Sequence, residues 1–260
     1  MHEDKFILLS FDVEEFDLPL EYGHIMPPEE QLLVGKTGAD EMEKIISQHA
    51  IACTLFTTAH YAIHFPQQIQ HLAKTQEIAS HTFHHNRFEE IDILLSKQRL
   101  EIISGQTVTG FRMPRMQPVN LKALKEAGYL YDASVNPTWI PGRYNNRHLP
   151  RTSYLEQGIV RIPASVTPRL RIPLFWLAFK NMPLSLFIQL TLQTLLKDRY
   201  VSLYLHPWEF TDIAKYPIPN YIKKHSGKRL EDKLHQLIEV LQQEGSFITM
   251  QQFMEKNAGQ

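Results

Sequence analysis

One cysteine in 260 residues excludes an internal disulfide and any metal cage built from several thiolates. That residue, Cys53, lies in the apolar run from Ile51 to Phe56 and reads as a small buried side chain without a redox role. An excess of charge is missing as well. Lys plus Arg number 27 against 28 for Asp plus Glu, a net charge of -1. No general field therefore draws in a nucleic-acid backbone, and nucleic acid is not expected as a partner. Internal repeats and low-complexity tracts are also absent.

Uninterrupted hydrophobic runs of membrane-spanning length are lacking. The most apolar stretch, 174–196, includes Phe175, Trp176, Phe179, Phe187 and Leu195, but Lys180, Asn181 and Pro183 break it. The remaining segments are too short for a hydrocarbon core about 30 Å thick. The stretch reads as a helix packed on the domain, with peripheral contact at a membrane surface as the sharper alternative. Met1 to Lys5 leads straight into a strand, without a basic start, a long apolar segment and a small-residue cleavage site. A cytoplasmic protein is expected, with the inner face of the membrane as its possible contact; oligomeric state is not legible.

What is present is a length and an apolar content, 43%, that suit one sizeable core and a single domain over 1–260. Short apolar runs predict strands at 6–11, 52–57, 78–80, 110–111, 129–133 and 200–205. Between them, helical spacing predicts helices at 39–49, 61–74 with a break at Pro66, 93–103, 118–128 and 230–241, and a last strand near 247–249 precedes a short final helix. The prolines at 19, 27 and 28 predict a loop over 18–36. An irregular insertion at about 134–198 is expected to hold one strand at 159–162. Strand, loop, helix in repetition is the pattern of an α/β barrel or doubly wound sheet.

The chemistry-bearing residues follow strand ends. Asp12 and Glu14 close the first strand and share one side, because side chains alternate; a solvated acidic turn is the plainer alternative. Ser80-His81-Thr82-Phe83-His84-His85 follows the third strand. If it forms a helical turn, His81 and His85 converge and His84 stands aside. Arg112 follows the fourth strand and His206-Pro207-Trp208-Glu209 the last long one. Parallel strands gather such ends on one face, where α/β enzymes carry their sites.

These segments resemble the motifs of the polysaccharide deacetylase family, the NodB-homology or carbohydrate esterase family 4 group. Ser10-Phe11-Asp12 is similar to the first motif, Glu77 to His85 to the second, Phe111-Arg112-Met113-Pro114 to the third and Tyr204-Leu205-His206 to the last. Asp12-Val13-Glu14-Glu15, Tyr131-Asp132-Ala133-Ser134 and His206 to Glu209 look more like the subgroup tied to exopolysaccharide and O-antigen biosynthesis. The resemblance implies a distorted (β/α)7 barrel and a divalent metal, zinc first and cobalt or another divalent ion as alternatives. His81 and His85 would be ligands. Many relatives carry a second aspartate where this chain has Val13, so Glu14 is taken as the third ligand, with Asp12 the alternative.

The resemblance further implies that Asp12 is the general base, Arg112 its orienting partner and His206 the acid for the departing amine. A backbone N–H, that of Arg115, would join in holding the oxyanion. Substrate contacts fall to Trp208, Arg115 and Pro114. Arg115 replaces the usual aromatic and the Asp-Trp pair near strand five is missing, so these contacts differ from those of chitin-type enzymes. The implied activity is removal of N-acetyl groups from a sugar of a surface or exported polysaccharide, or its lipid-linked precursor. An allantoinase-like small-amide hydrolase and a glycan-binding protein without catalysis are the alternatives.

Overall fold

Phe6-Ile7-Leu8-Leu9-Ser10-Phe11-Asp12-Val13 is buried throughout from Ile7 onward, which is the environment of a strand covered on both faces. In the computed structural model, which describes residues 4–257, it is the first strand, β1 (Phe6–Val13). The ends of the expected 1–260 domain, 1–3 and 258–260, lie outside the described residues. In chain order there follow β2 (Thr54–Thr57), β3 (Glu77–Ser80), β4 (Gly110–Phe111), β5 (Tyr131–Asp132), β6 (Trp139–Ile140) and β7 (Tyr144–Asn145). The remaining strands are β8 (Tyr154–Glu156), β9 (Ile159–Arg161), β10 (Tyr200–Leu205) and β11 (Ser246–Phe247).

Seven of these strands pair in parallel in the order β10-β1-β2-β3-β4-β5-β9 and curl into a distorted barrel. Its seam between β9 and β10 is bridged where the Ser165 N–H donates to Ser202 O, 2.9 Å. β8 adds an antiparallel edge to β9, β11 flanks the start of β1, and β6–β7 form a separate hairpin. The fold is a single-domain (β/α) barrel of the distorted seven-stranded type. Ile159–Arg161, expected inside an irregular insertion, is one of the barrel's parallel strands.

After β1 come α1 (Leu18–Glu21) and α2 (Pro28–Gln48); after β2, α3 (Ala59–His64) and α4 (Pro66–Leu72). α5 (Asp92–Ser104) follows β3 and α6 (Leu121–Glu126) follows β4. Between β9 and β10 lie α7 (Trp176–Asn181) and α8 (Leu184–Asp198); α9 (Asn220–Lys223), α10 (Lys228–Gln242) and α11 (Met250–Asn257) complete the chain. The apolar face of α10, Leu230, Leu234, Leu237, Ile238 and Leu241, is buried as its spacing requires. In α8, Phe187 and Leu195 are buried while Leu186 and Leu196 are exposed. Among the described residues no helix is long and apolar enough to cross a membrane.

Of the loop expected over 18–36, 22–27 is loop, while 18–21 form α1 and 28–36 open α2. Pro28 sits in the first turn of α2, where its fixed φ suits a helix and no N–H is needed, and Glu29 and Glu30 complement the helix dipole. Gly35 and Gly38, poor helix formers, have a packing reason. A Cβ on Gly35 would collide with the backbone oxygen of Glu14, and one on Gly38 with the backbone of Pro207 and Trp208. α2 thus lies directly against the two loops that leave β1 and β10. Gly38→Ala is expected to destabilise the fold by about 1–3 kcal/mol through overpacking, read as a lower urea midpoint at unchanged slope.

Candidate metal centre and catalytic cleft

The strand ends deliver Asp12, Glu14, His81, Arg112 and His206 to one mouth, and all except Arg112 line a cleft of about 260 Å³. Alternation along β1 turns Asp12 and Glu14 toward the cleft and sends Val13 into the core. The histidine segment is not the helical turn considered from its spacing. Residues 81–85 form a loop in which Thr82 takes φ 64, an uncommon state for a β-branched residue. That turn is held by Ala59 N–H to Thr82 O, 3.0 Å, and His60 N–H to Phe83 O, 2.8 Å. His85 is returned toward His81 by this loop rather than by helical periodicity.

Glu14 Oε2 lies 3.1 Å from His81 Nε2 and 3.3 Å from His85 Nε2. Four donors set tetrahedrally around zinc at 2.0–2.2 Å stand about 3.4 Å apart, so the spacing is that of ligands around one ion. The other ring nitrogens are already engaged. His81 Nδ1 bonds Arg112 O at 2.8 Å and His85 Nδ1 bonds Asp17 Oδ1 at 2.7 Å, which aims both Nε2 atoms at the same point. Glu14 Oε1 accepts from the Trp208 indole N–H, 3.0 Å, while its Oε2 is buried without a hydrogen-bond partner. An orphaned carboxylate oxygen facing two imidazole nitrogens fits a divalent ion.

The electrostatics point the same way. Burial raises the Glu14 carboxyl, but His85, His81 and His206 overcome that and hold it well below the ordinary carboxylate range. Burial lowers His85, but Glu14 and Asp17 on either side raise it instead, to about 10. The pocket therefore demands a positive charge, supplied by protons where no cation is bound.

Asp12 is placed differently. Its Oδ1 accepts from Arg112 Nη1 at 2.5 Å, and its Oδ2 is 3.9 Å from His81 Nε2 and 3.8 Å from His206 Nε2. Arg112, 1% exposed, also donates to Ser10 Oγ at 3.0 Å and Ala133 O at 3.3 Å and covers the Phe56 ring. Of the two carboxylates between which the sequence left the ligand open, Glu14 stands among the imidazoles and Asp12 beside the guanidinium. His206 bonds through Nδ1 to Glu209 Oε1, 3.2 Å, and Glu209 Oε2 pairs with Lys180 Nζ, 2.8 Å, both fully buried. The Trp208 ring stacks on His206 at 4.9 Å and Trp176 meets it edge-on at 4.9 Å.

Arg115 lines the cleft, but its side chain is paired with Glu21, 2.5 Å, and Asp17, 3.6 Å. Pro114 is buried and not among the residues lining the cleft, so the expected substrate contact there is not found. Sequence reasoning passed over Asp17, Lys180, Trp176 and Arg143, all at or behind the site. Asp17 carried one usable signal: it continues the acidic run that begins at Asp12. The others come from distant helices and loops, and nothing in their local sequence marks them.

The model of the polysaccharide deacetylase family matches residues 2–131. No curated protein matches the chain. Among solved structures, one named for a polysaccharide deacetylase of Mycobacterium smegmatis aligns with 98% of this chain and 91% of its own at 17% identity and a TM-score of 0.67. The PuuE allantoinase covers 94% and 87% at 15% identity and a TM-score of 0.64. The Bc1960 peptidoglycan N-acetylglucosamine deacetylase covers 96% and 88% at 14% identity and a TM-score of 0.53. At such identities the likeness concerns the fold. The family match is what defines the class: the chain belongs to the polysaccharide deacetylase family. Because Asp17 fixes the tautomer and direction of His85, Asp17→Asn is expected to weaken zinc binding about 10–100-fold, measured by competition with a chromophoric chelator.

Proposed function

We propose that the protein is a metal-dependent N-deacetylase acting on an N-acetylated sugar of a surface or exported polysaccharide, or on its lipid-linked precursor. The observation that carries the reading is the buried Glu14, His81 and His85 triad with its orphaned oxygen, set beside the Asp12–Arg112 pair. Glu14, His81 and His85 hold the ion, zinc in the first instance. When bound, a divalent ion at this point polarises an acyl carbonyl and acidifies water. Family membership and the likeness in fold to an N-acetylglucosamine deacetylase support the substrate class.

Within this reading the side chains divide the proton work. Asp12 takes a proton from the attacking water. Arg112 keeps that carboxylate fixed in place through its short charge-assisted bond. His206, across the cleft, gives a proton to the departing amine nitrogen, without which an amide nitrogen leaves poorly. Trp208 holds Glu14 through its N–H and offers its ring as an apolar wall toward the acetyl methyl. The Arg115 N–H, in a backbone turned by φ 57, serves the developing oxyanion. The complete donor set favours catalysis over simple glycan binding. Cytoplasmic placement, with membrane contact through 174–196, belongs to the same proposal; absence of co-sedimentation with anionic vesicles would remove that contact.

Purified protein is expected to release acetate from N-acetylhexosamine oligomers, to lose that activity on chelation and to regain it with zinc or cobalt. His81→Ala and Asp12→Asn should each lower kcat/KM by at least about 100-fold, the usual scale for such groups. Activity that survives both chelation and His81→Ala rejects the reading, and hydrolysis of ureides without acetate release would reassign the substrate.

A pH dependence follows from His206. Burial lowers this imidazole, but the bond it donates to Glu209 and the fields of Glu14 and Asp12 raise it above its ordinary 6.5. The proton-bearing form then persists to higher pH, and an acid's contribution is lost as pH rises through the raised value. Glu209→Gln removes the strongest raising partner, so the alkaline limb of kcat/KM should move to lower pH; an unmoved limb would separate His206 from that limb.

A further inference from the structure

A second set of metal-type donors lies back to back with the first. Glu15, the residue after Glu14, and His84, the residue before His85, meet His60 of α3. One donor atom of each lies within 4.8 Å of the others. The arrangement follows from the same two segments that build the first centre. Alternation sends Glu15 away from the side that Glu14 takes. The 82–85 loop is tied to the first turn of α3 by the backbone bonds of Ala59 and His60, 3.0 and 2.8 Å. Thr58 caps that helix by accepting from Tyr61 N–H, 3.2 Å.

The donors are held in place, and one of them, His60 Nδ1, is unsatisfied. Glu15, 3% exposed, accepts from Thr58 Oγ1 at 2.8 Å on Oε2 and from His85 N–H at 3.2 Å on Oε1. His60 Nδ1 stands 3.5 Å from Glu15 Oε1 and has no hydrogen-bond partner although it is buried. That separation is too long for a good hydrogen bond and matches the roughly 3.4 Å between donors around one zinc-sized ion. The His84 ring lies 4.7 Å from that of His60, and one of its nitrogens lies within 4.8 Å of the other two donors. A plain histidine–glutamate ion pair would account for Glu15 and His60, and the placing of the His84 ring beside them adds a third donor.

One group stands in the way. Arg87 Nη2 is 2.6 Å from His84 Nε2, on an exposed side chain long enough to swing into solvent. His64 packs against His60 at 4.6 Å between rings, but its Nδ1 is bonded to His60 O at 2.9 Å. None of Glu15, His60 and His84 lines the catalytic cleft.

We propose that Glu15, His60 and His84 form a second metal site that takes a divalent transition ion through two imidazoles and one carboxylate, a donor set suited to zinc or copper. The ion joins the end of β1, the start of α3 and the loop that carries His85. It acts as a clamp behind the catalytic centre and does not touch substrate. The proposal stands apart from the deacetylase reading, since it concerns metal content alone.

The test is to titrate metal-free protein with zinc and count ions per chain by calorimetry and native mass spectrometry. Two ions are expected for the unmodified chain, one for His60→Ala with His84→Ala, and one for His81→Ala. Arg87→Ala should tighten the second binding event and leave the first unchanged. A single zinc per chain, unaltered by the His60 and His84 substitutions, overturns the proposal. Should the double variant fold poorly by circular dichroism, anomalous scattering at the zinc edge from zinc-soaked crystals of the unmodified protein decides. A peak among the three residues sustains the site, and a filled first centre without one removes it.

Discussion

Four carboxylates, Asp12, Glu14, Glu15 and Asp17, leave the end of one strand and are at most 3% exposed. Stripping an ionised carboxylate of water costs several kcal/mol unless it is paired and hydrogen-bonded. Each is answered by a group from another element. Arg112 comes from the end of β4 to Asp12, His81 and His85 from the end of β3 to Glu14, and His60 from α3 to Glu15. Asp17 receives His85 from its far side and Arg115 at longer range. Burial raises the Glu15 carboxyl, yet His60 and the hydrogen bonds around it hold it down to about 2. The mouth of the barrel is organised by the need to neutralise this buried negative charge. A cation held at the Glu14 centre would complete that neutralisation.

The same constraint explains why apparently remote residues bear on the site. Lys180, from a helix inserted between β9 and β10, is wholly buried, and its charge is tolerable because Glu209, Ile222 O and Ser226 receive it. Glu209 in turn takes both the ring and the backbone N–H of His206. Its carboxyl is raised by burial but lowered on balance by Lys180 and His206. A chain of alternating charge thus runs from the helix layer to the cleft. On the other side, Gly35 and Gly38 let α2 approach the backbone of the Glu14 and Pro207 loops without a side chain between them. Positioning of the site is therefore spread over the helix layer as well as the strand ends.

Much of this was legible before any coordinates. The buried strands show over 6–11 and 200–205 as mostly apolar runs, and α10 shows by its period. Where reading failed, the cause was local ambiguity. Pro27 and Pro28 look like loop residues, yet a proline in a first helical turn is favourable. Gly35 and Gly38 weaken helical propensity, and only the approach of a neighbouring backbone explains them. Ile159–Arg161 is too short to be told from an edge hairpin until its parallel pairing with β5 is seen. The histidine loop has the spacing of a helical turn, and its real conformation depends on Thr82 at positive φ, held by α3.

The sequence by itself determined the class of fold and the residue types at each strand end, because strand burial and side-chain alternation are properties of short segments. It also carried the family, through motifs a few residues long. Tertiary structure alone decided that Glu14 rather than Asp12 stands between the imidazoles, that Asp17 and Glu209 orient His85 and His206, and that His60 faces Glu15 and His84. Those outcomes depend on distances between groups 3 to about 190 positions apart in the chain. Such distances are set by the curl of the whole sheet and by the pairing of buried charges, neither of which any single segment contains.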